Sequence, residues 1–315
     1  MNYFLIFAIA CAITFLITPT IRFFALRFSL IDRRSTRKIH TRIVTRFGGF
    51  AIYIGVFFAI LAGFYANLGL EKPDFAIFKI IFIASTLILF LGIYDDAKGA
   101  NAWIKLFVQL LATLILIRSG FIIKIISNPF GSPIKLGNLG IPITILWFIS
   151  ITNAINLIDG LDGLANGIVF ICSIALFPVF FITSKTMPAF FSLAIAGACL
   201  GFLRYNFFPA KIFLGDTGSM FLGFSLASLA ILTNHKTTIT LGLLVPLIGL
   251  GIPIFDTTFA FFRRVIKRKH PFKADNEHIH HFLLKKNLSQ KQVVYSLWII
   301  TALLNIGAFY IFLFR

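Results

Sequence analysis

Apolar runs of near-membrane length recur along this chain, at 3–26, 48–66, 76–94, 104–118, 141–158, 167–183, 189–205, 218–234, 239–262 and 293–314, with short polar connections between them. A helix needs about 20 mainly apolar residues to cross a bilayer, so the pattern predicts an all-α polytopic membrane protein with about ten transmembrane helices. An even count places both ends on one side. Between the fourth and fifth runs, Asn128-Pro129, Gly131, Pro133, Gly137 and Gly140 interrupt short apolar pieces, which predicts a small hairpin on the outer surface. No soluble domain, low-complexity tract or strong repeat interrupts the pattern. Residues 1–315 are expected to form one integral-membrane domain, with 263–292 as its longest polar loop.

Composition agrees: 58% of the 315 residues are hydrophobic and 13% charged, against about 25% charged in a soluble domain. A net charge of +18 would suggest nucleic acid in a soluble chain. Here the cations first have to be placed on the topology. Alternating sides puts 27–47, 95–103, 159–166, 206–217 and 263–292 on one face, which counted with the adjoining span ends (Lys105 and Arg204) takes twenty of the 29 Lys and Arg, while the opposite face takes eight. That bias marks the rich face as cytoplasmic and both termini as outside, and it leaves nucleic acid without a role. Cys11, Cys172 and Cys199 all lie inside apolar runs, with no CxxC pair, and are expected to pack as small hydrophobes. The first run has no basic stretch before it and continues to Pro19, so it reads as a retained span rather than a cleaved signal.

The acids narrow the function. Only eleven are present; Glu71 and Asp74 fall outside, and Asp32, Asp95, Asp96, Asp159, Asp162, Asp216, Asp256, Asp275 and Glu277 fall on or towards the cytoplasmic face. Asp95-Asp96 close the third run, Asp159 closes the fifth and Asp216 opens the eighth. Carboxylates from separate helices at one depth make a site, because ionisable groups at a membrane are expensive. The stretch Asn153-Ala-Ile-Asn156-Leu-Ile-Asp159-Gly-Leu-Asp162-Gly-Leu-Ala165 spaces four oxygen-bearing side chains by three residues, which predicts one broad helix stripe. Gly160 and Gly163 loosen the backbone after it.

Each motif carries a chemistry. Adjacent Asp95 and Asp96 repel, and a shared cation is the natural relief. Gly215-Asp216-Thr217-Gly218-Ser219 can present N–H groups to phosphate, with Asp216 offering hard oxygen to Mg²⁺. His278-Ile279-His280-His281 could suggest Zn²⁺, but the carboxylates favour a harder ion, and phosphate contacts or proton exchange suit these imidazoles better. The first loop, Asp32-Arg33-Arg34-Ser35-Thr36-Arg37-Lys38-Ile39-His40 and on to Arg46-Phe47-Gly48-Gly49, reads both as a positive anchor and as a phosphate clamp.

From about Asp32 to His281 these motifs together resemble the polyprenyl-phosphate N-acetylhexosamine-1-phosphate transferase family. His-Ile-His-His is similar to the WecA branch, which transfers N-acetylglucosamine-1-phosphate from UDP-GlcNAc to undecaprenyl phosphate. The MraY branch, which takes UDP-MurNAc-pentapeptide, remains the alternative. The resemblance implies a Mg²⁺-dependent transfer (Mn²⁺ in its place is open) in the bacterial inner membrane, facing the cytoplasm, releasing UMP and holding the polyprenyl tail between helices. It implies catalytic roles for Asp95, Asp96, Asp159 and His281, and nucleotide-sugar contacts from Asn153, Asn156, Asp162, Phe213 and His280. Phosphate contacts fall to His40, Arg46, Lys105 and His278, and the metal to Asp216; Gln109 matches a family position beside Lys105. Implied partners are a UDP-N-acetylhexosamine, undecaprenyl phosphate and the bilayer, with a homodimer open. The chain departs from the family at Ile43-Val44-Thr45-Arg46, which lacks two prolines, at Arg34, where a proline is common, and at Gly99, which replaces a third Asp.

Under this reading the difficulty is to bring two polyanions together, which a divalent ion and Arg or Lys offset. Asp95 or Asp96 is the candidate to deprotonate the lipid phosphate, and a covalent aspartyl intermediate is the other route. A secondary transporter is the rival from another class, but it would hold its ionisable groups near the midplane. A lipid-binding scaffold needs cations but not convergent acids. A CDP-alcohol phosphotransferase would carry an Asp-Gly-x-x-Ala-Arg pattern that this sequence lacks.

Overall fold

Local capping signals set where the helices begin and end. Glu71 and Asp74 form a reciprocal capping box that opens one helix, Asn101 Oδ1 accepts the Ile104 N–H at 2.8 Å to open another, and Ser289 and Gln292 box the start of the last. The computed structural model describes residues 3–28, 44–66, 68–126, 133–233, 248–266 and 279–314. Its helices are α1 (Tyr3–Arg27), α2 (Gly48–Tyr65), α3 (Lys72–Lys98), α4 (Ala102–Arg118), α5 (Gly140–Ile158), α6 (Leu164–Ile182), α7 (Thr186–Asn206), α8 (Gly215–Leu232), α9 (Gly251–Ile266), α10 (Ile279–Lys285) and α11 (Gln290–Leu313).

Among the described residues, eight helices are long and apolar enough to cross a membrane: α1, α2, α3, α5 with its lead-in, α6, α7, α8 and α11. The expected span 104–118 is α4, 17 residues long. The expected span 239–262 lies partly outside the described residues, and its remainder is α9, which continues through Arg263 and Arg264 into the region read as loop. The third span starts earlier than its apolar run and extends through Asp95-Asp96 to Lys98, ending at Gly99 with φ 79°. Its double Asp is therefore helical. The 119–140 hairpin is present as β1 (Ile125–Ile126) antiparallel to β2 (Ile134–Lys135).

Helices α7 and α8 form the centre. Of their apolar windows 83% is buried, against 28% for α1 and 22% for α11, which stand at the rim. Helix α1 packs on α7 and α2, α3 and α5 pack on α8, and α6 lies between α7 and α11. Small residues permit the closest approaches, as packing within a membrane requires. A Cβ on Gly223 of α8 would stand 2.8 Å from Thr152 Cα of α5, and one on Gly92 of α3 would stand 2.6 Å from the Asp216 carbonyl of α8. Tyr53, Phe57, Phe78 and Phe82 fill the wedge between α2 and α3, with Tyr53 Oη 2.8 Å from Thr86 Oγ1. Cys11, Cys172 and Cys199 lie on α1, α6 and α7.

Candidate active site

Close packing of α3 and α5 on α8 brings the acids to the N-terminal end of α8. Gly215 opens that helix with φ 74°, a conformation that favours glycine, and Asp216 follows in the first turn. Asn156, on the last turn of α5, donates from Nδ2 to Asp216 Oδ1 and, at 2.9 Å, to Ser219 Oγ. Ser219 Oγ in turn donates to the Gly215 carbonyl at 2.9 Å. Asp96, at the end of α3, accepts the Asp216 N–H at 3.0 Å, the Thr217 N–H at 2.9 Å and the Thr217 hydroxyl at 2.7 Å. Its neighbour Asp95 accepts the Ala100 N–H at 2.7 Å and forms an ion pair with Lys105 of α4.

A short strap completes the site. Thr45 bridges Ile212 in parallel, Phe213 N–H donates to the Thr45 carbonyl at 2.8 Å, and the Gly48 and Gly49 N–H groups donate to the Phe213 and Leu214 carbonyls, each at 3.0 Å. The strap seats Arg46 with Nη1 3.8 Å from Asp96 Oδ1. Side chains on Gly48 and Gly49 would collide with Phe202 and with the Gly218 backbone. The described residues 44–49 of the first loop therefore dock on 212–214.

Asp159 caps the C-terminus of α5 and is half-buried. Burial first, then the charges of Asp216 and Asp96, push its carboxyl well above the ordinary carboxylate range, against the opposing charge of Arg46. Four carboxylates, those of Asp95, Asp96, Asp159 and Asp216, thus gather beside two basic side chains, Arg46 and Lys105. The cluster can receive a hard cation, and its two basic side chains can meet phosphate.

The predicted stripe ends early. Helix α5 stops at Ile158, so Asn153 and Asn156 share its last turns, while Asp162 falls in the following turn before Gly163, whose φ is 78°. Buried Asp162 accepts the Ala210 N–H at 2.9 Å and ties that turn to the loop leading to Phe213. Asn153 exchanges carboxamide bonds with buried Gln109, donating to Oε1 at 2.9 Å. Phe213 is half-buried on the strap. His280 and His281 lie in the first turn of α10, while His40 and His278 lie outside the described residues. Sequence reasoning did not single out Thr217 or Ser219; both sit inside the Gly-Asp-Thr-Gly-Ser motif, and that motif was the available signal.

A model of glycosyl transferase family 4 matches residues 78–234, which include Asp95, Asp96, Asp159 and Asp216. The chain is 38% identical to a probable undecaprenyl-phosphate N-acetylglucosaminyl 1-phosphate transferase of Bacillus subtilis, over 96% of this chain and 83% of that protein. It is 32% identical to a decaprenyl-phosphate N-acetylglucosaminephosphotransferase of Mycolicibacterium smegmatis, over 95% of this chain and 79% of that protein. It is also 36% identical to a phospho-N-acetylmuramoyl-pentapeptide-transferase of Clostridium botulinum, over 69% of this chain and 66% of that protein.

Proposed function

Because the chain belongs to glycosyl transferase family 4, we propose that it transfers N-acetylglucosamine-1-phosphate from UDP-N-acetylglucosamine to undecaprenyl phosphate. The observation that carries this reading is the surplus of carboxylates at the start of α8, brought from α3, the end of α5 and α8 itself beside half-exposed Arg46 and Lys105. An oxygen of the lipid phosphate attacks the sugar-bearing phosphorus. The bond from that phosphorus to the bridging oxygen breaks, its electron pair leaves on UMP, and the product is a polyprenyl diphosphate sugar.

Mg²⁺ fits the donor set. Among the described residues no three acids, histidines or cysteines form a ready-made cage, but Mg²⁺ keeps water and substrate phosphate as ligands and needs only one or two protein carboxylates. Asp216 would hold it, with Asn156 fixing the orientation of that carboxylate. When bound, the ion supplies Lewis-acid stabilisation of the pyrophosphate and of the departing UMP. Arg46 and Lys105 contact the approaching phosphates, and Asp159 lines the same end of α5. The second pKa of a phosphate monoester is about 6, so the lipid phosphate arrives largely ionised and a strong base is not required. The cytoplasmic face is the side assigned to the site, because the Lys- and Arg-rich connections share it.

The test is to incubate purified protein, undecaprenyl phosphate and Mg²⁺ with a panel of UDP-sugars and measure UMP. Release with UDP-GlcNAc is expected. Release only with UDP-MurNAc-pentapeptide would move the chain to the muramoyl branch, and substrate uptake into vesicles without any UMP would favour a transporter.

A further inference from the structure

The start of α8 lacks the cap that its own sequence would normally supply. The first N–H groups of a helix have no partner within it and are usually met by a side chain immediately before. Here that residue is Leu214, which has no acceptor and makes no capping bond. The missing acceptor comes from another helix, 120 residues earlier: Asp96 takes the Asp216 N–H on Oδ1 and the Thr217 N–H and hydroxyl on Oδ2. Its negative charge also stands at the positive end of α8. The Asp96 side chain is 0% exposed. A general base works at about 2.6–3.2 Å between heavy atoms, whereas the Asp96 carboxylate has no exposed side-chain surface and both its oxygens already accept bonds from α8.

We propose that Asp96 is a positioning residue: it caps α8 in trans and thereby holds Asp216 at the angle its role requires. The two members of the double Asp then divide the labour, Asp95 facing Lys105 and Asp96 facing the backbone of α8. Gly92, one helical turn before Asp96, is what allows it, because any larger residue there would push α3 away from Asp216 and Thr217. The proposal rests on reading Asp216 as the metal-holding carboxylate, but the capping itself can be measured without metal or substrate.

The experiment compares wild type with Asp96→Asn, Thr217→Val and Thr217→Ser in the full-length protein in detergent. It follows amide hydrogen exchange at 216–218 and, separately, the pH dependence of the transfer rate. Asp96→Asn replaces one acceptor with a donor, which must face either the Asp216 N–H or the Thr217 N–H, so exchange at 216–218 is expected to rise about tenfold or more with the rest of α8 unchanged. Thr217→Val is expected to lower kcat about tenfold through the same element, and Thr217→Ser, which keeps the hydroxyl, to restore it. Every limb of the pH profile that wild type shows should remain in Asp96→Asn. Unchanged exchange in both Asp96→Asn and Thr217→Val overturns the proposal, as does loss of one pH limb in Asp96→Asn alone. Should Asp96→Asn not fold, the Thr217 pair decides it alone. Wild-type protein that releases no UMP from any donor would defeat the transferase reading and leave the exchange result standing.

Discussion

Asp216 is held from two directions, its side chain by Asn156 from α5 and its backbone by Asp96 from α3. Asp216→Asn should insert and fold normally yet lose transfer, and near-normal rates at saturating Mg²⁺ would remove Asp216 from the metal role. Asn156→Ala leaves that carboxylate in place but free to turn. The Mg²⁺ concentration for half-maximal rate should rise about 10–100-fold, the usual effect of losing an outer-shell partner, and an unaltered Mg²⁺ titration would contradict the assignment. At this scale the sequence was legible for residue type and less so for role. Asp96, Asp159 and Asp162 look equivalent as acids near span ends, yet one is buried against the Asp216 and Thr217 donors of α8, one caps a helix end and one ties two loops together. What separates them is burial and partner, and neither is encoded in spacing.

At the scale of elements, α8 owes its central place to small residues. Gly223→Leu would force a side chain into the α5 backbone at Thr152, a clash of about 1–3 kcal/mol. One turn further along α5 lies Asn156, so the melting temperature and the transfer rate should fall together. Gly307 of α11 is the control: nothing lies within 4 Å of its added Cβ, and Gly307→Ala should leave both unchanged or raise stability by up to about 1 kcal/mol. A fall with Gly307→Ala equal to that with Gly223→Leu would sink the argument. The other end of α8 is closed by Lys185, whose Nζ donates to the Leu232 carbonyl and whose amine burial pushes down from an ordinary value near 10.5 to about 8. A lowered lysine binds its proton less tightly folded than unfolded, so stability rises as pH climbs from about 8 towards 10.5. Lys185→Met should flatten the rise in melting temperature over that range, and equal slopes would dismiss it.

At the scale of the whole molecule, the charge asymmetry of the connections predicts which compartment the site faces. In a background with Cys11, Cys172 and Cys199 changed to Ala, Lys211→Cys should react with a membrane-impermeant maleimide only from the cytoplasmic side, and Ser119→Cys only from the outside. Reversed labelling would reverse the assignment. The sequence by itself determined that the chain crosses a membrane repeatedly, that its acids gather near one face and that Gly-Asp-Thr-Gly-Ser begins a helix. Apolar length, charge and turn residues act locally, and a reader can sum them along the chain. It did not determine that α3 carries its double Asp in helix, that α5 stops before Asp162, or that 44–49 straps onto 212–214. Those outcomes depend on pairs such as Asp96 and Thr217, 121 positions apart. Only the close packing of glycine-bearing helices brings such pairs within hydrogen-bond reach, so tertiary structure alone decided which acid accepts from the backbone of α8 and which do not.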